Sequence, residues 1–187
     1  LIPAFNEEAS LAELLEAVAL QAKAEDWDYQ IVACNDGSTD RTAAILKDAD
    51  GKYPLHVITH KINRGLGETE RDLFEYAAEI AKPGTRILRV EGDNTHNPSY
   101  MSDLVKKLDE GYDVVVASRF AEGGGQTGLS DYKAFISYCA NRFMKFFFPI
   151  KGLDEYSCGF RAYKAELIQE AVKFYGNDFI QLKGLGF

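Results

Sequence analysis

The sequence predicts an α/β domain with a mostly parallel central sheet flanked by helices. Three observations carry that expectation. Short apolar runs alternate with segments whose apolar residues recur every three or four positions, the pattern of βαβ units. The run from Asp113 to Ser118 is unbroken and apolar within, as in a strand buried on both faces of a parallel sheet. Polar, turn-forming clusters close several of the apolar runs, and open α/β sheets bind ligands outside the carboxyl ends of their strands.

Taken in order, Leu1-Ile2-Pro3 reads as a strand end and Ala4-Phe5-Asn6-Glu7-Glu8 as a strand-to-helix turn. Leu11, Leu14, Leu15 and Val18 then fall on one stripe of a helix expected from about Glu7 to Lys23. Tyr29 to Cys34 is a second strand, and Asp40 caps a helix through about Lys47. Leu55 to Thr59 is a third strand, followed by a glycine turn and a helix carrying Leu73, Phe74 and Ala77. Ile87 to Val90 is a fourth strand, and Met101, Leu104, Val105 and Leu108 mark the next helix.

The second half changes character. Ala121 to Gly128 contains Gly123-Gly124-Gly125 and reads as a mobile loop. Asp131 to Phe148 is helical but apolar nearly all round, so it is either buried or meets a membrane or a partner. Tyr156 to Tyr163 reads as a strand and Ala165 to Phe174 as a helix. With no repeat and no linker, residues 1–187 are expected to form one domain.

Composition narrows the function. Of 187 residues 46% are hydrophobic, enough for a full core. The formal net charge of −8 argues against general nucleic-acid binding, which relies on Lys and Arg. Cys34, Cys139 and Cys158 form no CxxC pair and are expected to be small buried hydrophobes in a reducing compartment, cytoplasmic or at the cytoplasmic face of a membrane. No run approaches the ~20 apolar residues of a membrane span. The chain opens in mid-strand without Met and stops at Gly184-Leu185-Gly186-Phe187, so it is read as a piece truncated at both ends.

The chemistry is expected at Arg86 to Pro98, RILRVEGDNTHNP. Glu91 and Asp93 place two carboxylates one residue apart at a strand end, and Gly92 between them permits close backbone approach. Such a pair suits Mg²⁺ or Mn²⁺ shared with substrate phosphates, although an acidic surface turn would look the same in isolation. Asn35-Asp36-Gly37-Ser38-Thr39-Asp40 adds a carboxylate and a helix start to a second strand end.

Five motifs in order, PAFNEE at Pro3–Glu8, NDGSTD at Asn35–Asp40, NRGLG at Asn63–Gly67, EGDNTHNP at Glu91–Pro98 and ASRF at Ala117–Phe120, resemble family 2 glycosyltransferases of the GT-A fold. GLDEYSCGFRAY at Gly152–Tyr163 and KAFIS at Lys133–Ser137 are similar to its polyprenyl-phosphate branch. The resemblance implies that Pro3, Phe5, Glu7, Cys34, Asp36, Glu91, Gly92 and Asp93 line a nucleotide-sugar donor site. It implies Glu91, Asp93 and Thr95 as metal positions, for Mg²⁺ or Mn²⁺. It places Arg119, Lys133 and Ser137 at the acceptor phosphate, with Asp93 and Arg119 central to catalysis. Several positions depart from the family: Phe5 stands for Tyr, Asn35 and Glu91 for Asp, Thr95 for Gln, and Lys133 for Arg.

The implied reaction is inverting transfer of a sugar from a GDP- or UDP-linked donor to a polyprenyl or dolichyl phosphate at a membrane surface. Two alternatives stay open. One is transfer to a glycan or protein hydroxyl, which would need a carboxylate base, with Asp178 the late candidate. The other is a non-catalytic nucleotide-sugar-binding domain.

Overall fold

The computed structural model describes residues 1–121, 124–125 and 131–180, and of these the side chains of 131, 133, 134 and 177 are not described. The glycine-rich stretch over 121–128 thus lies mostly outside the described residues.

β1 (Ile2–Ala4), β2 (Ile31–Asn35) and β3 (Leu55–Thr59) form a parallel sheet in the order β1-β2-β3, with Ile2 opposite Ala33 and Ile31 opposite Leu55. β4 (Arg86–Arg89), β5 (Val114–Val116) and β6 (Arg161–Lys164) form a second sheet in the order β4-β6-β5, with β6 antiparallel to both neighbours. The two sheets meet at Leu1, whose N–H donates to the Leu88 carbonyl (2.5 Å) and whose carbonyl accepts from Val90 N–H (3.0 Å). The strands therefore run β3-β2-β1-β4-β6-β5, with β1 and β4 central.

Helices cover both faces. On one side α1 (Leu11–Ala24), α2 (Thr42–Ala49) and α4 (Met101–Asp109) bury Leu11, Leu14, Leu15, Leu46, Met101, Leu104 and Leu108 against Ile2, Ile31, Val90 and Phe160. On the other, α3 (Leu66–Ile80) and α6 (Ala165–Tyr175) bury Phe74, Ala77, Ala165 and Ile168 against Ile87. These stripes follow the 3.6-residue period that predicts them.

α1 begins four residues later than the sequence suggests. The amides of Glu7 and Glu8 donate instead to Thr42 Oγ1 (2.8 Å) and Asp40 Oδ2 (3.0 Å) in the next strand-end loop.

Three expectations are corrected. β5 is not buried on both faces: Val114 is exposed, and among the described residues β5 pairs with β6 alone, so its apolar run serves an edge strand. β6 starts at Arg161 rather than Tyr156, because the backbone before it is held by side chains. Asn141 Oδ1 accepts from Tyr156 N–H (2.8 Å), and the Arg161 guanidinium donates to the carbonyls of Tyr156 and Cys158 (2.6 Å each). Cys139 is exposed, whereas Cys34 and Cys158 are buried as expected.

α5 (Asp131–Phe147) is attached through a narrow polar seam. Asn141 is buried and donates from Nδ2 to the Asp154 carbonyl (2.5 Å), and Lys145 pairs with Asp154. Tyr156 Oη donates to the Phe148 carbonyl (2.7 Å) and accepts from Ile150 N–H (3.1 Å). The apolar side faces away: Phe146 is 79% and Phe147 57% exposed, and Phe135, Ile136, Phe143 and Phe148 are exposed too.

Candidate active site

The loops after β1, β2 and β3, and the one after β4, are bonded to one another at the carboxyl ends of their strands. Asn6, at φ 58°, accepts from Thr39 N–H through Oδ1 (2.8 Å), and its own N–H donates to Ser38 Oγ (3.0 Å). Glu8 Oε2 accepts from Arg41 N–H (3.0 Å), while Asp40 Oδ1 accepts from Thr42 N–H (2.9 Å) and starts α2. Hydrogen bonds hold Asp40 below the usual carboxylate range despite opposing desolvation, so it remains an acceptor.

Two glycines make the closeness possible. Gly37, at φ +68°, lies so near the Ile62–Asn63 peptide that a Cβ would fall within 2.5 Å of Asn63 N. At Gly92 a Cβ would meet the Pro3 carbonyl oxygen at 2.6 Å and Glu7 Cγ at 3.2 Å. Gly92 therefore brings the acidic loop against the β1 turn, and Ser10 Oγ closes the seam by donating to the Gly92 carbonyl (3.0 Å).

These contacts place Pro3, Glu7, Gly92 and the β2 turn at one basin, with Phe5 exposed beside it. Burial pushes the Glu7 carboxyl above its ordinary range, assisted by the nearby charges of Asp93, Asp40 and Glu91 and opposed by a hydrogen bond from Ser10. Cys34 is fully buried behind the basin. Asp36 is buried too, and its carboxylate accepts from Arg64 N–H (2.8 Å) and Gly65 N–H (2.9 Å), fixing the turn into α3.

Glu91 and Asp93 differ sharply. Glu91 forms an ion pair with the buried guanidinium of Arg89, which also binds Glu70 from α3 (Nε to Oε1, 2.7 Å). The flanking carboxylates keep Arg89 charged although burial opposes it. Gly159 leaves the room this pair occupies, since a Cβ there would overlap both side chains. Asp93 is exposed and carries no such partner among the described residues; its Oδ1 accepts from the Thr95 amide (3.0 Å) and hydroxyl (2.8 Å), a turn that presents the carboxylate.

Among the described residues no three His, Cys, Asp or Glu side chains gather into a metal cage. The donor set fits a cation of the Mg²⁺ or Mn²⁺ class held by Asp93 and completed by substrate oxygens and water, because such ions commonly take only one or two protein carboxylates. Glu91, committed to Arg89, is the weaker candidate. His96 packs over Phe160 (centroids 5.3 Å apart) with Nε2 3.6 Å from Cys158 Sγ. Burial lowers its basicity against the pull of Glu91 and Asp93, which favours the neutral imidazole.

On the β5 side, Arg119 meets Glu155, a fully buried carboxylate, through Nε to Oε2 (3.0 Å) and Nη2 to Oε1 (3.4 Å), and reaches Ser157 Oγ (3.3 Å). Ser137 is half-buried on α5, and the Lys133 side chain lies outside the described residues. Asp178 sits in a turn after α6 whose following carbonyls, at 179 and 180, accept from Arg71. The sequence reading missed Arg89, Glu70, His60 and Asp72. A signal was present for two of them: an arginine inside an apolar strand and a histidine closing another.

Comparison with known proteins bears on this geometry. The sequence model described as "Glycosyl transferase family 2" matches residues 1–171. A curated relative, undecaprenyl-phosphate 4-deoxy-4-formamido-L-arabinose transferase of Shewanella sediminis (strain HAW-EB3), is 29% identical over 189 residues, covering 100% of this chain and 54% of its own. The chain spans about half the length of the curated relatives it matches. Mannosyl-3-phosphoglycerate synthase from Rubrobacter xylanophilus superposes with a TM-score of 0.64 at 18% identity, over 89% of this chain and 53% of that one. The mannosyltransferase PcManGT from Pyrobaculum calidifontis, in complex with GDP-Man and Mn²⁺, gives 0.56 at 14%, over 94% and 45%. At these identities the structural matches establish the GT-A fold.

Proposed function

This chain belongs to glycosyl transferase family 2 and is a glycosyltransferase domain, and from that premise we propose that the whole protein moves a sugar from a nucleotide-diphosphate donor to a polyprenyl phosphate, with inversion. The observation that carries this reading is the bonding of four strand-end loops into one basin with Asp93 at its rim. The acceptor class is supported by the curated relative, whose name states transfer to undecaprenyl phosphate.

In this proposal Pro3, Phe5 and Glu7 line one wall of the donor site, Asp36 and the turn it holds line another, and Cys34 backs them. Gly92 lets the acidic loop close against Pro3. Asp93 would hold the Mg²⁺ or Mn²⁺, with Thr95 fixing its carboxylate and Glu91 anchoring the loop through Arg89. When bound, the ion neutralises charge on the leaving diphosphate as a Lewis acid.

A phosphate monoester has its second pKa near ~6 and is largely a dianion at neutral pH. It needs positioning in line with the sugar rather than deprotonation. Buried Glu155 sets the plane of the Arg119 guanidinium, and Arg119 with Lys133 and Ser137 would receive the acceptor phosphate. Among the described residues no helix is long and apolar enough to cross a membrane. The exposed aromatic side of α5 suits the interface of a bilayer in which a lipid acceptor resides.

The test is isothermal titration of the full-length protein with GDP and UDP, with and without Mn²⁺, beside Asp93→Ala. Metal-dependent binding of one nucleotide, lost in the variant, is expected and identifies the donor class. Binding of neither would remove the donor site from the proposal.

A further inference from the structure

His60, at the end of β3, is buried among three elements of the donor side. Its Nδ1 lies 2.6 Å from Asp36 Oδ1, its Nε2 2.8 Å from Asp72 Oδ2 on α3, and Nε2 is also 3.6 Å from Cys34 Sγ on β2. Its own N–H donates to the Asn35 carbonyl (2.9 Å). Beyond Asp72, the Arg64 guanidinium stands 3.9 Å away. Burial, with the charges of Asp72 and Asp36, pushes the Cys34 thiol up to about 12, so it stays a thiol and brings no competing charge.

Hydrogen-bond inventory restricts the ring. A neutral imidazole has one N–H and one lone pair, whereas both nitrogens donate in the imidazolium. Both nitrogens here face carboxylate oxygens at short distance, so only the cation satisfies them together. Asp36 then has Oδ1 filled by His60 and Arg64 N–H, while Oδ2 accepts from Gly65 N–H and retains capacity for one more donor. An amide or imide N–H of a nucleobase is such a donor.

We propose that His60 is a positioning residue of the donor site: as an imidazolium bridging Asp36 and Asp72, it aims the Asp36 carboxylate at the nucleobase and holds the Arg64–Gly65 turn. This rests on the donor reading above. Replacing the ring with a neutral side chain leaves one carboxylate without its donor, so the turn loosens and nucleotide affinity falls. A histidine that merely fills space would tolerate glutamine with affinity and turn exchange unchanged.

The experiment titrates the full-length protein with UDP and with GDP, in Mn²⁺. It compares wild type with His60→Gln and Asp72→Asn, and reads amide hydrogen exchange at Arg64 and Gly65 in parallel. For the nucleotide that wild type binds, His60→Gln weakens binding about tenfold and Asp72→Asn about threefold, the order expected for lost charge-assisted bonds. Both variants speed amide exchange at Arg64 and Gly65. Unchanged affinity and unchanged exchange in the variants overturn the proposal, whatever happens to their melting temperatures. Should His60→Gln fail to fold, Asp72→Asn decides by the same readings. Should wild type bind neither nucleotide, the donor reading fails, and exchange still judges the clamp: faster exchange at Arg64 and Gly65 in Asp72→Asn supports it, and equal exchange overturns it.

Discussion

The proposed donor side and α5 are built by opposite rules. Around the donor basin, loops from four strands satisfy one another, with the Asn6–Thr39, Glu8–Arg41, Asp36–Arg64 and Ser10–Gly92 bonds all crossing between loops. Among the described residues α5 meets the rest of the chain through the Asn141 and Lys145 bonds and an edge contact of Tyr138 with Phe120, and it turns its phenylalanines outward. The difference teaches where each region finds its order. The proposed donor basin is preorganised by its own chain, which would reduce the entropy cost of receiving a flexible nucleotide sugar. α5 leaves apolar surface exposed on a scale that usually marks contact with something else.

The harshest way to break this comparison is to attack the weave. Gly37→Ala places a Cβ deep inside van der Waals contact with the Ile62 carbonyl carbon and forces an L-residue to φ +68°. The left-handed backbone costs about 1–2 kcal/mol and overpacking about 1–3 kcal/mol more. Urea unfolding followed by circular dichroism should show a loss of about 3 kcal/mol, with nucleotide binding lost as well. A variant within about 0.5 kcal/mol of wild type that still binds nucleotide would mean that the two loops are not locked together.

A milder substitution cuts α5 loose. Asn141→Ala removes both bonds of its buried amide and strands the Asp154 carbonyl and the Tyr156 amide. The expected cost is about 2 kcal/mol, from lost bonds and unpaired partners. Limited proteolysis should then cut faster near residues 148–156, while nucleotide affinity stays within about twofold because no donor contact has moved. A parallel fall in nucleotide affinity would show the two regions to be one cooperative unit.

Most of the local structure on the proposed donor side was legible in the sequence because its signals are local. The α1 stripe of Leu11, Leu14, Leu15 and Val18 follows helical period, and Asp40 announces a helix start within two residues of the bond it makes. The strand-end positions of Asp36, Gly92 and Asp93 follow from turn chemistry. What stayed hidden depends on pairing across the fold. Arg89 finds Glu70 nineteen residues away, and His60 finds Asp36 and Asp72 through three separate elements. No periodicity encodes that β6 enters antiparallel between β4 and β5, leaving the apolar run of β5 at an edge. For α5, composition signalled an apolar helix but not which side would be used. A polar seam of Asn141 and Lys145 carries the attachment, where the usual rule expects the phenylalanines to do so.

That inversion gives the comparison its finest test. Among the aromatic pairs of the described residues, the Phe147 ring meets only Phe143 (4.5 Å between centroids, tilted) and Phe146 (5.0 Å, edge to face), both on the outer face. Phe147→Asp removes no core contact and adds charge to a surface already in water, so stability should change by no more than about 0.5 kcal/mol. A bilayer interface would respond differently, because it must desolvate the new carboxylate. Flotation with phospholipid vesicles should recover wild type and leave the variant behind, at equal melting temperature. A drop in melting temperature instead would place Phe147 in a packed core, and the contrast between a self-sufficient donor basin and an outward-facing helix would fall with it.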